Sequence, residues 1–354
     1  MAVYYLIFII SYFLCFFDFI KETKIKLFVF LLFTASVTLI AGLRAVGVDN
    51  DSVVYQQILL STENVSFFQI IKGDYWENIE RGYFFLNKVI LSLGGDINVL
   101  LLVVALATSL LNYTIIYKIS PYPFLSLLFY LSFFYLYRDF TQIRYGLSCA
   151  LAFYSVYFLI KKEKLLFCFF LILSVLFHNT SYVLILILPF CFFVKNKFIY
   201  FFLPILGFIG FFYNFLPLLL SQGIAMEHME IYLQEEGGAG LMIPFIGLII
   251  MLLYIFNEKE LLKSSLNRKY YEIFFRLFSI SVTLNFLFFH ISIFQRFSYL
   301  LFQFGIFLLP MMLYDLKASR YKIYFKFGYF MFTCFFLYYG IKMINPALIR
   351  PYFN

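Results

Sequence analysis

The side chains best able to exchange a proton near neutral pH lie at or between the ends of apolar segments. Asp49 and Asp51 form an Asp-x-Asp pair just after one such segment, Glu80 stands in a polar stretch, and His178 begins another segment. Paired carboxylates can hold a divalent cation or act as a general base, and a histidine can shuttle a proton or bind phosphate. Two acids in a polar loop are more often solvated turn formers, and a lone histidine more often completes a hydrogen-bond network.

Arginine is the second kind of side chain with chemistry to offer, because its planar fork of donors matches phosphate and carboxylate groups. Arg144 shares one helical face with Ser148, Ala152 and Ser155. This small, polar stripe predicts that the face packs inside a helix bundle and that Arg144 points into the mouth of that bundle.

The candidate substrate-binding residues gather near the ends of apolar segments in the same way. They are Arg44, Tyr55, Arg138, Gln142, Arg144, Arg296 and Tyr299. Arg138 and Arg144 are expected at a turn between two spans, and Arg296, Tyr299 and Gln303 fall on one helical face. The structural alternative for Arg144 is an ion pair with Asp139 or Glu80.

The amino-acid composition indicates the class of protein to which these residues belong. Of the 354 residues, 64% are hydrophobic and only 13% are charged, and the mean hydropathy is +0.91. Soluble proteins have about 45–50% apolar and about 25% charged residues. The chain is therefore predicted to be a membrane protein, which excludes soluble enzymes, nucleic-acid binders and secreted disulfide modules.

The apolar runs are long enough for helices, so the predicted fold is all-α with about 12 transmembrane helices. The predicted spans are 2–20, 27–43, 97–117, 122–137, 145–160, 165–177, 178–194, 198–220, 241–256, 273–294, 297–314 and 323–340. Lysine-rich connections such as 161–164 and 195–197 fall on one side, which the positive-inside rule makes cytoplasmic. Both termini then face outward.

The two long connections fall on the outer side, and we treat 1–354 as a single transmembrane domain. These outer loops are 44–96 and 221–240, and both are acidic. Residues 83–93, followed by two glycines, predict a re-entrant or interfacial helix, and 224–236 predicts an amphipathic helix lying on the membrane.

Six of the nine arginines, but few lysines, fall on this outer side. Topology signals would place both residue types inside, so the excess of arginine indicates anion recognition. For Arg81 and Arg350 we expect pairing with outer acids or contact with lipid headgroups instead.

The ordered set of polar motifs resembles the exopolysaccharide and O-antigen polymerases of the EpsG/Wzy type. The motifs are Arg44 followed by Gly47-Val48-Asp49 and Tyr55, Glu80-Arg81-Gly82-Tyr83, Gln142-Ile143-Arg144-Tyr145-Gly146-Leu147, Phe177-His178-Asn179-Thr180-Ser181, Arg296-Phe297-Ser298-Tyr299 and Arg350-Pro351-Tyr352. They cover nearly the whole chain in order. The Gly-x-Asp spacing fits Asp49, whereas the spacing from an acid to a tyrosine fits Asp51 and Tyr55.

The resemblance implies a bacterial inner-membrane enzyme with its active site facing the periplasm. Its substrates would be undecaprenyl-pyrophosphate-linked oligosaccharide repeats, its other partners membrane lipids and a candidate chain-length regulator, with no nucleic acid. The arginines would bind the departing pyrophosphate. Asp49, Asp51, Glu80 or His178 would take the proton of the acceptor hydroxyl. No cofactor is predicted, and metal dependence is left open.

Two other functions fit the same residues. A lipid-linked oligosaccharide flippase or other transporter would also have many spans, but it should show internal repeats and polar groups near the midplane of the membrane. An O-antigen ligase would share the chemistry and differ in its acceptor.

Overall fold

The computed structural model describes residues 1–75, 79–222, 240–262, 268–316 and 322–353. Helices dominate these ranges, and no β-strand occurs in them apart from an isolated bridge between Asp49 and Ile349. The chain divides into two compact units, one formed by Met1–Asn179 with Tyr321–Asn354 and the other by Thr180–Arg320.

Several helices are long and apolar enough to cross a bilayer. A helix is suited to this, because it satisfies its backbone hydrogen bonds internally where no water is present. Within the described residues six helical segments meet this condition: Ala2–Phe19, Thr23–Gly42, Ile97–Ile119, Ile143–Lys161, Met242–Leu261 and Ser292–Leu316. Shorter apolar helices are Lys164–Phe177, Asn179–Phe193 and Lys197–Phe212. The prediction of an all-α, multi-pass membrane protein is confirmed.

The first unit contains ten α-helices among its described residues and one π-helix. They are α1 Ala2–Leu14, α2 Thr23–Gly42, α3 Ser52–Ser61, α4 Phe67–Lys72, α5 Arg81–Ser92, α6 Ile97–Ile119, α7 Pro123–Tyr130, the π-helix Leu131–Thr141, α8 Ile143–Lys161, α9 Lys164–Phe177 and α18 Lys322–Lys342. Its apolar core continues from α3 and α5 into α6 and α8, through residues such as Tyr55, Phe84, Leu101 and Leu147.

Helices α8 and α9 form the most extensive helix pair of the first unit, along the small, polar face predicted from the sequence. Ser148 Oγ donates to the Ser174 carbonyl at 2.7 Å, and Ser174 Oγ donates to the Ser148 carbonyl at 2.8 Å. Ser155 Oγ donates to the Phe167 carbonyl at 3.4 Å. Small residues allow the two backbones to approach closely, so this face packs inside the bundle as predicted.

The segment 44–96, which is predicted to be an outer loop, is largely helical. It carries α3, α4 and α5, and the carboxylate of Asp96 caps the next helix by accepting the N–H of Val99 at 3.1 Å. Gly94, with φ +77°, ends α5 in a conformation that favours glycine. The helix expected at 83–93 is confirmed as a helix, and its re-entrant or interfacial position stays a prediction.

The second unit has eight α-helices in its described part. They are α10 Val183–Phe193, α11 Lys197–Gly207, α12 Ile209–Phe212, α13 Leu216–Ser221, α14 Met242–Leu261, α15 Arg268–Leu287, α16 Gln295–Phe302 and α17 Gly305–Leu316. Arg268 Nε contacts Glu272 Oε1 at 2.9 Å on α15. The amphipathic helix predicted for 224–236 lies outside the described residues.

Candidate functional site

The loop that follows α2 is built around a buried ion pair. Arg44 Nε donates to Asp49 Oδ2 at 2.7 Å, and neither side chain is exposed. Arg44 Nη1 also donates to the carbonyl of Ala41 at 2.5 Å, and its guanidinium lies 4.8 Å from the ring centroid of Phe140. Removing one partner of such a pair would leave an uncompensated buried charge.

Asp49 also fixes the start of α3. Its Oδ1 accepts the N–H of Asp51 at 3.0 Å and the N–H of Ser52 at 2.9 Å. The C-terminal segment pairs with the same loop, because the N–H of Arg350 donates to the Val48 carbonyl at 2.8 Å. Both oxygens of Asp49 are thus engaged in holding the loop, whereas Asp51 is half-buried at the first position before α3.

A second ion pair joins α5 to α8. Arg144 Nη1 donates to Glu80 Oε2 at 2.6 Å, with 24% of the Arg144 side chain exposed and 7% of the Glu80 side chain. Glu80 Oε1 also accepts the N–H of Asn179 at 3.3 Å. Of the two partners expected for Arg144, the structure selects Glu80.

Two tyrosines lie beneath this second pair. The Arg144 guanidinium is 5.5 Å from the ring centroid of Tyr83 and 6.0 Å from that of Tyr55, and the two rings meet edge-on at 5.9 Å. Burial and then the charge of Asp51 raise the pKa of Tyr55, and Arg144 opposes them. Asp51 therefore lies within electrostatic range of the tyrosine that faces Arg144.

Tyr83 is fully buried beside Arg144. Burial and then the neighbouring Tyr55 raise the pKa of its hydroxyl, whereas Arg144 and a hydrogen bond with the Asn87 side chain lower it.

His178 ends α9 beside the same pair. It is half-buried, and its ring centroid lies 5.2 Å from that of Tyr145. Because Asn179 donates to Glu80, the backbone next to His178 is attached to the Glu80–Arg144 pair. The structure thus brings Glu80, Arg144 and His178 together, although they are far apart in sequence.

Arg138 and Asp139 lie within the π-helix, just before the break at Gln142 that separates it from α8, where the turn between two spans was expected. Both residues are buried in the π-helix, with Arg138 Nε 3.4 Å from Asp139 Oδ1. Tyr130 donates to Asp139 Oδ2, and Asn112 Nδ2 donates to the Tyr130 hydroxyl at 2.5 Å. These hydrogen-bond partners allow two charged residues to be buried within the helix. Turns of π-helix are frequent at functional sites.

Gln142 follows the π-helix directly and is half-buried. The next turn of α8 packs closely against the buried pair, since a Cβ on Gly146 would lie 3.0 Å from the Arg138 carbonyl oxygen. The glycine of the Arg144-Tyr145-Gly146 motif thus allows this close packing without a tight contact.

Gly82 sets the position of Glu80. A Cβ at this residue would lie 2.8 Å from the carbonyl oxygen and 2.9 Å from the Cβ of Leu176 on α9. Gly82→Ala is expected to push α5 away from α9, lowering stability by about 1–3 kcal/mol and weakening the Glu80–Arg144 contact. Thermal unfolding of the purified protein measures this effect.

Gly240→Ala provides the control for that substitution, because a Cβ there would have no atom within 4 Å. An unfolding midpoint for Gly82→Ala equal to that of the control would contradict the close packing of α5 on α9.

The remaining candidates, Arg296 and Tyr299, belong to the second unit. Both are half-buried on α16, and Gln303 just after it is fully buried. In the same unit His290 Nε2 lies 2.9 Å from the Phe211 carbonyl, which gives this histidine a structural contact. In the described part of the chain, no three His, Cys, Asp or Glu residues are placed to hold a metal ion.

Sequence reasoning missed several polar partners of the candidate residues. Asn112 and Tyr130 lie within apolar segments, where no sequence pattern distinguishes them from packing residues. Tyr83 and Tyr145 could have been found, because Tyr83 stands two residues after Arg81 and Tyr145 directly after Arg144, in motifs that were already singled out.

The chain is similar to the amylovoran biosynthesis protein AmsC of Erwinia amylovora, with 26% identity over 210 residues. The alignment covers 56% of this chain and 56% of that protein, so the chain spans little more than half the length of this relative. No solved structure matches the chain.

The match to a protein family is broader. The profile of the EpsG family aligns with residues 26–354, which include the Arg44–Asp49 and Glu80–Arg144 ion pairs, His178, Arg296 and the C-terminal segment. The chain belongs to the EpsG family.

Proposed function

We propose that this protein is a polysaccharide polymerase of exopolysaccharide or O-antigen biosynthesis. It joins undecaprenyl-pyrophosphate-linked oligosaccharide repeats on the periplasmic face of the bacterial inner membrane. Membership of the EpsG family and similarity to a protein named for amylovoran biosynthesis support a role in exopolysaccharide synthesis. The single observation that supports the chemistry is the Glu80–Arg144 pair with Tyr55, Tyr83 and His178 around it.

Arg144 is suited to the leaving group of this reaction. Outside the cytoplasm there is no nucleotide sugar, so a lipid pyrophosphate must carry the activated glycan. Negative charge develops on the pyrophosphate as its bond to the anomeric carbon breaks, and a preorganised guanidinium stabilises that charge. Arg144 is partly exposed and is held in place by Glu80, so its position is set before substrate binds.

The acceptor hydroxyl of a second repeat supplies the nucleophile. Its oxygen forms the new bond to the anomeric carbon, undecaprenyl pyrophosphate leaves, and the proton of the hydroxyl passes to a base. We favour Asp51 as the base, because its charge acts on Tyr55 beside Arg144, whereas the two oxygens of Asp49 hold Arg44 and backbone N–H groups. Glu80 and His178 are the other candidates.

The glycan of a deletion strain tests this proposal. A polymerase deletion leaves the machinery that assembles and exports one repeat intact, so we expect surface glycan of a single repeat, with long chains restored by the wild-type gene. Absence of all surface glycan would instead indicate a flippase or a ligase.

A further inference from the structure

An apolar groove lies between α5 and α9, next to the Glu80–Arg144 pair. This α5–α9 groove has a volume of about 630 Å³ and is lined by apolar side chains, including Ile71, Phe85, Val89 and Leu173. Arg81 is the only charged residue among the described residues that line it.

The groove adjoins the candidate site through the chain itself. Gly82 and Phe177 line it, and they stand two residues after Glu80 and one residue before His178. The close contact of Gly82 with Leu176 forms part of its wall. A ligand whose apolar part lay in this groove would therefore have its polar end beside Arg144.

The cation that lines this groove, Arg81, makes its charge complementary to an anionic lipid, and a second cation, Lys72, follows the lining residue Ile71 in the chain. Arg81 is exposed, and its Nη2 would lie only 2.6 Å from a Cβ on Gly73, so the guanidinium lies directly over that glycine. Lys72, the residue before Gly73, places its Nζ 4.4 Å from the ring centroid of Phe68. A guanidinium fork beside an apolar channel fits a phosphate group attached to a hydrocarbon chain.

We propose that the α5–α9 groove binds the polyprenyl chain of the lipid-linked glycan donor, with its diphosphate contacting Arg81. This inference rests on the proposed function. It gives Arg81 a ligand-binding role in place of the ion pair or headgroup anchor expected from the sequence. It also gives a role to the exposed guanidinium that directly follows Glu80 in the chain, since the diphosphate would pass between Arg81 and Arg144.

Binding of undecaprenyl diphosphate to the full-length protein in phosphatidylcholine nanodiscs tests the groove. Arg81→Gln removes the charge at an exposed position, and Val89→Trp fills the groove. Each is expected to weaken binding by about tenfold or more, as the loss of charge-assisted hydrogen bonds or of apolar contact would. Leu110→Trp is the control, because it fills an apolar groove of about 570 Å³ between α2 and α6.

Unchanged affinity in Arg81→Gln would overturn the proposal, as would an equal loss in Leu110→Trp. Displacement of the probe by an equal concentration of phosphatidylglycerol would also overturn it, because the groove would then be a general lipid site. The nanodisc experiment measures only lipid binding. The proposed polymerase function is tested separately, by the glycan of the deletion strain. A strain with single-repeat glycan and a groove that does not bind would leave the polymerase function standing.

Discussion

Asp51→Asn is expected to stop chain growth while the protein stays folded, with a fall in the polymerisation rate of about 10²–10⁴-fold. Asp51 is half-buried at the start of α3, and its charge acts on Tyr55, which faces Arg144. Asparagine keeps the shape of the side chain but cannot accept the proton of the acceptor hydroxyl. The measurement is polymerisation of a purified lipid-linked repeat by full-length protein.

Asp49→Asn is the matched comparison, because it makes the same chemical change two residues away. Asp49 is buried against Arg44, and breaking that pair costs about 3–5 kcal/mol. We therefore expect a lower unfolding midpoint for Asp49→Asn and an unchanged midpoint for Asp51→Asn. A near-normal rate in Asp51→Asn would contradict its role as the base, and a loss in Glu80→Gln or His178→Ala would then assign that role elsewhere.

Arg144→Lys is expected to lower the polymerisation rate by about 10²–10³-fold, the usual loss when one preorganised donor to a developing anion is removed. Lysine keeps the positive charge and can still pair with Glu80, so the fold should be retained. It lacks the planar fork that contacts two phosphate oxygens at once. Both the rate with purified protein and the glycan length in a complemented strain measure this loss.

Arg268→Lys controls for the general effect of exchanging arginine for lysine in an ion pair. Arg268 pairs with Glu272 at 2.9 Å, but its side chain is 61% exposed, and exposed pairs contribute little to stability. Full-length polymer from Arg144→Lys at normal protein level would show that Arg144 acts only as a positive charge. The same test applies to Arg296, whose role in the second unit stays a prediction.

The chain alone determined that this is a membrane protein made of helices. An apolar segment in a bilayer has no water to satisfy its backbone, so length and composition are sufficient to predict a helix. The inward face of α8 was also readable, because Ser148 and Ser155 recur at helical spacing beside Arg144. The sequence also limited the expected ion-pair partner of Arg144 to two acids, Asp139 and Glu80.

Only the tertiary structure decided which charges pair. Arg44 binds Asp49 and Arg138 binds Asp139, both close in sequence, whereas Arg144 binds Glu80, which lies 64 residues away. The sequence also gave no sign that residues 48 and 350 would share a backbone hydrogen bond. The Glu80–Arg144 contact depends on how closely α5 packs against α9. The Val48–Arg350 contact depends on where the C-terminal segment meets the loop after α2. Hydropathy specifies which segments lie in the membrane, but the packing of small side chains specifies the distances between them.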